Sequence, residues 1–151
     1  MSTQDSSPHT ICWKSRRQQL TALSTTEAEL NALSDAAKEA SWLRTMLTEM
    51  KLLPFDYRVR IHEDNSGCLA LVNGKRTPAR TKHQAVRIGY VRDLIANGAI
   101  TVTPCSTADM IADPLTKPLG FIDFERKFRD ILFISQPPRS SEGECKNSKE
   151  A

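Results

Sequence analysis

The stretch YRVRIHEDNSGCLALVNG, from Tyr57 to Gly74, contains the transition on which the predicted fold depends. In its first half, apolar Tyr57, Val59 and Ile61 alternate with basic or imidazole side chains, which predicts a strand with one apolar face. The strand stops where the polar run Asp-Asn-Ser-Gly begins at Asp64, and the apolar residues that follow predict a short helix. A strand that leads directly into a helix is a unit of layered α/β domains.

Elements of the same two kinds are predicted on both sides of this stretch. Ser24-Thr25-Thr26-Glu27 forms a capping box, and apolar residues three and four apart after it predict a helix that ends before Pro54. A further helix is predicted from about Gln84 to the C-cap signal Asn97-Gly98, followed by a strand over 99–103. Three shorter signals predict a strand at 10–13, a helix start at Asp113-Pro114 and a helical apolar stripe over 121–132. We therefore predict an α/β fold with a partly parallel, mixed sheet flanked by helices.

The composition of the chain restricts the class of protein. Its 151 residues are 39% hydrophobic and 26% charged, which excludes collagen, a wholly disordered polymer and a small disulfide scaffold. No apolar run approaches the roughly 20 residues of a membrane span, and the first nine residues are polar, so we expect an intracellular protein rather than a secreted one. The four cysteines lack C-x-x-C spacing, which favours free thiols over a zinc site.

The two ends of the chain differ in composition from the middle. Residues 1–9 are rich in Ser, Thr and Gln, and after Pro137-Pro138 the sequence is dominated by Ser, Glu, Lys and Gly. We predict a disordered N-terminus over 1–9, one domain over 10–135, and a disordered tail over 136–151.

A basic window runs from Lys75 to Arg92 and contains no acidic residue. The net charge of +3 is mild, but this local concentration, interrupted by Gly, Pro and Thr, suits a loop that follows a phosphate backbone. The alternative is a solvated basic face with no partner. The residues that we predict to contact nucleic acid are Lys75, Arg76, Arg80, Lys82 and Arg87.

Three acidic residues occupy positions where chemistry is often located. Glu29 lies one turn inside the first predicted helix, Asp64 follows the central strand, and Asp113 opens a helix after the last strand. Ligands bind at strand ends in α/β sheets, and carboxylates from separate elements bind hard divalent cations. Each acid also has a structural explanation: Glu29 would complement the helix dipole, and Asp64 and Asp113 would be N-caps. Sequence spacing alone leaves both explanations open.

Several strings of the sequence, read in order, resemble one known family. They are similar to the ribonuclease H domain of copia-type retrotransposon Pol polyproteins, and the resemblance covers about residues 12–129. The strings are WKSRRQQ (13–19), ALSTTEAEL (22–30), EASWLR (39–44), DNS (64–66), RTKH (80–83) and ADPLTKPL (112–119).

The resemblance implies a ribonuclease H-like fold and a nuclease that cuts the RNA strand of an RNA–DNA hybrid using two Mg²⁺ or Mn²⁺ ions. It assigns catalytic and metal-binding roles to Glu29, Asp64 and Asp113, and it implies a reverse transcriptase domain upstream in a parent polyprotein. The basic window is expected to neutralise phosphates of the hybrid. The neighbouring acids Glu27, Glu63 and Asp109 are interpreted as cap or surface residues.

The chain departs from the family at its N-terminal end. Members of the family have two strands before the WKS string, and the first strand carries a metal-binding aspartate; here Asp5 is the acidic residue upstream, and it does not match that position. We therefore expect a domain that lacks its first two strands, an unpaired sheet edge, and weak or absent hydrolysis. The alternative function is an inactive retroelement remnant with at most sequence-independent nucleic-acid binding, and a third is a host adaptor that recruited the fold.

Overall fold

The computed structural model describes residues 10–18, 21–76 and 79–132. The segments predicted to be disordered, 1–9 and 136–151, lie outside these residues. The chain divides into two compact units, which are described separately. One spans Ser15–Met110, and the described residues of the other are 10–14 and 111–132. No helix in the described part of the chain is long and apolar enough to cross a membrane.

The unit Ser15–Met110 packs helices against a small sheet, which confirms the predicted α/β class. The predicted mixed sheet is not found among the described residues, where the two strands pair in parallel. Its two strands, β1 and β2, run parallel, with Val59 opposite Ile100 and Glu63 opposite Pro104, and they are the strands found among the described residues. In chain order the elements are α1 (Thr25–Glu49), β1 (Val59–Glu63), α2 (Ser66–Asn73), a 3-10 helix (Ala79–Gln84), α3 (Ala85–Ala96), β2 (Ile100–Pro104) and a short 3-10 helix (Thr107–Asp109).

The core of this unit lies between the sheet and its helices. Val59 and Ile61 of β1 pack against it, whereas Arg60 and His62, on the opposite face of the strand, are exposed. The alternation read from the sequence therefore identified the buried face correctly. The buried apolar residues are Leu30, Leu33 and Ala37 of α1, Cys68, Leu71 and Val72 of α2, Ile88 and Val91 of α3, and Ala99 and Ile100.

The helix ends follow the local sequence signals. The Ser24 hydroxyl accepts the Glu27 backbone N–H at 3.2 Å, which is the side-chain cap that the sequence predicts. The Glu27 carboxylate accepts the N–H of Leu23, one residue before the N-cap, at 2.9 Å. Helix α1 ends at Glu49, before Pro54 as predicted. Gly98 has a φ of 70°, the left-handed conformation expected directly after a helix end.

Two strand predictions are corrected by the structure. Strand β1 begins at Val59 rather than Tyr57, because the Tyr57 N–H donates to the Pro54 carbonyl in a turn. The strand predicted at 10–13 is wrong: these residues are exposed and have no strand structure. A strand forms only when its backbone pairs with that of a neighbouring strand. The two described strands, β1 and β2, pair with each other, and the contact of Thr10 is instead a side-chain one, from its hydroxyl to the Ile131 carbonyl.

The other unit contains a short 3-10 helix, Asp113–Leu115, and α4, Phe121–Leu132. The predicted apolar stripe is present in α4, where Phe124 and Phe128 stack with ring centroids 5.1 Å apart and Ile131 is buried. The helix start predicted at Asp113-Pro114 and the helix predicted over 121–132 are therefore both present.

Candidate metal centre

Glu29 and Asp64, two of the three predicted site residues, lie together in the unit Ser15–Met110. They form a cluster with Glu63, in which the three carboxylates offer oxygen atoms that all lie within 4.8 Å of one another. Glu29 projects from α1, and Asp64 lies between the end of β1 and the start of α2. Carboxylate oxygens at this separation form a donor set suited to a hard divalent cation.

Glu63 was interpreted from the sequence as a cap or surface residue, and that interpretation is wrong. The residue is only 5% exposed, and it belongs to the acidic cluster. Glu63 is the last residue of β1 and continues the alternation of Val59 and Ile61, so the pleat turns it toward the helical side. Extending the period-two pattern by one step would have located it.

Without a cation, the ionised form of the carboxylates in this cluster is unfavourable, because negative charges lie close together and are partly buried. Burial raises the pKa of Glu63, and the neighbouring Glu29 and Asp64 charges raise it further, against the lowering effect of the Asn65 N–H that donates to Glu63 Oε1 at 2.9 Å. Burial, followed by the nearby Glu63, also raises the pKa of the Cys68 thiol. A bound cation would offset this concentration of negative charge.

Asp64 is not the N-cap of α2. That position belongs to Asn65, whose Oδ1 accepts the Cys68 backbone N–H at 2.9 Å. The Asp64 carboxylate accepts the Thr107 hydroxyl at 3.1 Å, which links it to the segment after β2. The structural alternative for Asp64 is therefore wrong, and its carboxylate is oriented by the first residue of the 3-10 helix Thr107–Asp109.

Glu29 also fits its structural alternative poorly. Glu29 is the fifth residue of α1, which begins at Thr25, whereas the favourable effect of the helix dipole is concentrated in the first turn. Within that first turn the acidic residue is Glu27.

Asp113 lies in the other unit, so the structure does not group it with Glu29 and Asp64. It is 3% exposed, and its two oxygens contact ammonium groups, Lys117 Nζ at 2.8 Å and Lys127 Nζ at 2.9 Å. Burial opposes ionisation, but the two lysines outweigh it and lower the pKa of Asp113. Asp113 is not an N-cap, since Ala112 holds that position and no side chain caps the turn. Its role as a metal ligand stays a prediction.

The remaining two acids are cap residues, as interpreted. The Glu27 carboxylate accepts the Leu23 backbone N–H beside the N-cap of α1, and it also accepts the Gln84 side-chain amide at 2.6 Å. Asp109 receives the Ser106 hydroxyl at 2.7 Å, and its backbone N–H donates to the same hydroxyl.

The predicted nucleic-acid contacts are exposed to different degrees. Lys75, Arg76 and Lys82 are exposed, while Arg87 is partly exposed and lies 3.9 Å from the Asp35 carboxylate. The side chain of Arg80 lies outside the described part of the structure. Within the same window, the Arg92 guanidinium donates to the Leu71 and Arg76 carbonyls and has a structural role.

The sequence is similar to segments of transposon polyproteins. The chain is 34% identical over 130 residues to the retrovirus-related Pol polyprotein from transposon RE2 of Arabidopsis thaliana, and 33% identical over 130 residues to that from transposon RE1 of the same plant. It is 36% identical over 115 residues to the corresponding polyprotein from transposon TNT 1-94 of Nicotiana tabacum.

These alignments cover most of the chain but a small part of each relative. They include 86%, 86% and 76% of the chain, which spans only 9%, 9% and 8% of the respective polyproteins. No family model and no solved structure matches the chain. The chain is homologous to a segment of the retrovirus-related Pol polyproteins of plant transposons.

Proposed function

We propose that this chain is the ribonuclease H segment of a copia-type Pol polyprotein and that its site acts on the RNA strand of an RNA–DNA hybrid with the help of divalent cations. The observation that carries the proposal is the meeting of Glu29 and Asp64 in one carboxylate cluster. The family resemblance assigns metal-binding roles to these same two residues, on grounds independent of their separation in space.

The donor set fits the cation that the proposal requires. Carboxylate oxygens suit Mg²⁺ and Mn²⁺ rather than softer metals, and Glu63 adds a third carboxylate to the two that the resemblance assigns. A bound divalent cation would supply the Lewis acidity that assists attack of water on a phosphodiester.

One side-chain hydroxyl and one backbone N–H hold two carboxylates of the cluster in place. The Thr107 hydroxyl holds the Asp64 carboxylate, and the Asn65 N–H holds that of Glu63. Preorganised ligands of this kind are expected where a cation and a phosphate must be placed together. Asp113 would have to exchange a lysine partner in order to bind a cation, because both of its oxygens contact ammonium groups.

Binding of the hybrid is assigned to the exposed lysine and arginine side chains of the basic window. Lys75, Arg76 and Lys82 would neutralise backbone phosphates, an interaction that carries affinity without reading sequence. The reverse transcriptase domain of the parent polyprotein is proposed as the neighbour that supplies the hybrid.

The test is cleavage of a hybrid labelled on its RNA strand, with the chain in excess and Mg²⁺ or Mn²⁺ present. We expect slow cleavage of the RNA strand by the wild type, loss of cleavage in Asp64→Asn, and no change in Asp56→Asn, which removes an exposed carboxylate from a turn. Equal cleavage by the wild type and Asp64→Asn would contradict the proposal.

A second candidate function is binding of nucleic acid without hydrolysis. One observation favours this candidate: the Asp113 carboxylate is paired with Lys117 and Lys127. These ion pairs oppose the use of Asp113 as a metal ligand. Salt-sensitive binding of the hybrid with no cleavage by the wild type in excess would decide for this candidate.

A further inference from the structure

The first turns of α1 and α2 are in direct contact beside the acidic cluster. The Thr26 hydroxyl, on α1, lies 3.3 Å from Asn65 Oδ1, to which it donates. The same Asn65 oxygen accepts the Cys68 backbone N–H and so caps α2. One amide oxygen therefore joins the starts of both helices.

Gly67 allows this close approach. A Cβ added at Gly67 would lie 2.7 Å from Thr26 Oγ1 and 3.2 Å from Thr26 Cγ2, and 3.1 Å from Asn65 Oδ1. The first distance is too short for any real contact, and a threonine in a helix has few rotamers with which to move away. Any side chain at position 67 would therefore push the first turn of α1 away from that of α2.

The two carboxylates of the cluster are attached to these same turns. Glu29 is three residues after Thr26, on the same side of α1, and Asp64 directly precedes Asn65. If the two helix starts move apart, the oxygens of Glu29 and Asp64 move apart with them, because each carboxylate is only one to three residues from the contact.

We propose that Thr26, Asn65 and Gly67 are positioning residues, which set the spacing of Glu29 and Asp64 for binding of one divalent cation. The inference rests on the proposed function, and it adds residues that touch neither substrate nor cation. Outer residues that orient metal ligands affect metal affinity by about 10–100-fold when they are changed.

The test measures Mn²⁺ affinity of the full chain by calorimetry, well below the melting temperature of each variant, together with that temperature. We expect Gly67→Ala to weaken Mn²⁺ binding by about tenfold or more. Gly89→Ala is the matched control, since a Cβ at Gly89 of α3 would have no neighbour within 4 Å, and we expect its Mn²⁺ affinity to be unchanged.

A second variant separates positioning from a general loss of stability. Thr26→Ala removes both Thr26 atoms that the Cβ at position 67 would strike, but it also removes the hydroxyl that donates to Asn65, so this variant alone is expected to weaken Mn²⁺ binding. Gly67→Ala combined with Thr26→Ala is expected to bind Mn²⁺ about as tightly as Thr26→Ala alone, because the added Cβ no longer meets a Thr26 side chain. A melting temperature lowered by Gly67→Ala with Mn²⁺ affinity equal to the wild type would overturn the inference and leave the proposed function intact. A wild type that binds no Mn²⁺ would instead overturn the proposed function, and the inference with it.

Discussion

Two buried acids of this chain experience opposite electrostatic surroundings. Glu63 is buried beside Glu29 and Asp64, and both burial and these charges raise its pKa. Asp113 is buried as well, but Lys117 and Lys127 outweigh burial and lower its pKa. The first arrangement becomes favourable when a cation is added, whereas the second is already neutralised by the protein.

The ion pair of Asp113 provides a test at the scale of single residues. Lys127→Met removes an ammonium group that is almost fully buried, and we expect a loss near the lower end of the roughly 3–5 kcal/mol that a broken buried pair costs, because Lys117 remains. Lys117→Met is the matched control: Lys117 is 41% exposed, so its removal should cost less than about 1 kcal/mol. Hydrogen exchange of the α4 amides measures both losses, and equal losses would contradict this account.

Among the secondary-structure elements, local signals predicted the helices and the strands β1 and β2, but they failed for the strand at 10–13. The Ser24 cap and the Gly98 turn act within a few residues, so the sequence identifies them directly. The strand predicted at 10–13 failed because a strand is stabilised by its neighbour, and the sequence does not state which segments pair. Glu63 was misassigned because it is acidic, although it occupies the next position on the buried face of β1 after Val59 and Ile61.

The contact between α1 and α3 can be tested through Asp35. Its carboxylate lies 3.0 Å from Arg16 and 3.9 Å from Arg87 of α3. Partial burial opposes ionisation, but Arg16, Lys38 and Arg87 lower the pKa of Asp35. We expect Asp35→Asn to reduce the free energy of unfolding at pH 7 by at most about 1 kcal/mol, since the group is partly exposed.

The pH dependence of that loss has a definite sign. A carboxylate whose pKa is lowered on folding stabilises the protein above its unfolded pKa, and this contribution disappears as the pH falls through the folded value. Urea unfolding of the wild type and Asp35→Asn should therefore converge in acid, with Asp56→Asn as a control at an exposed turn. A difference that grows toward acid pH would argue against the assigned ion pairs.

In the whole molecule, two of the three predicted site residues, Glu29 and Asp64, lie together, whereas the role of Asp113 stays a prediction. The resemblance selected Glu29 and Asp64, and the fold brings them together through the packing of α1 on β1 and α2. Asp113 belongs to a separate compact unit, and no pattern in the sequence reports that its carboxylate is held by two lysines. The chain spans 8–9% of its polyprotein relatives, so the segment is proposed to act beside other domains.

If the basic window binds the phosphates of an RNA–DNA hybrid, its lysines should determine how strongly binding depends on salt. Replacing Lys75 and Lys82 with Ala should weaken binding to an RNA–DNA hybrid and reduce the slope of log affinity against log salt by somewhat less than one for each lysine, because each phosphate contact releases a counterion. Replacing Lys38 and Lys51 with Ala removes the same charge outside the window and is expected to have a smaller effect. Fluorescence anisotropy over a range of salt concentrations compares the two; identical slopes would rule out the window as the contact surface.

The central claim is that Glu29 and Asp64 bind a divalent cation together. Its most direct test is a Mn²⁺ titration of the wild type, Asp64→Asn, Glu29→Gln and the exposed-site control Asp56→Asn by isothermal calorimetry. We predict that the wild type and Asp56→Asn bind Mn²⁺ with the same affinity, and that Asp64→Asn and Glu29→Gln each bind at least about tenfold more weakly, because each removes a ligand charge from the cluster. Equal Mn²⁺ affinity in all four proteins would contradict the account.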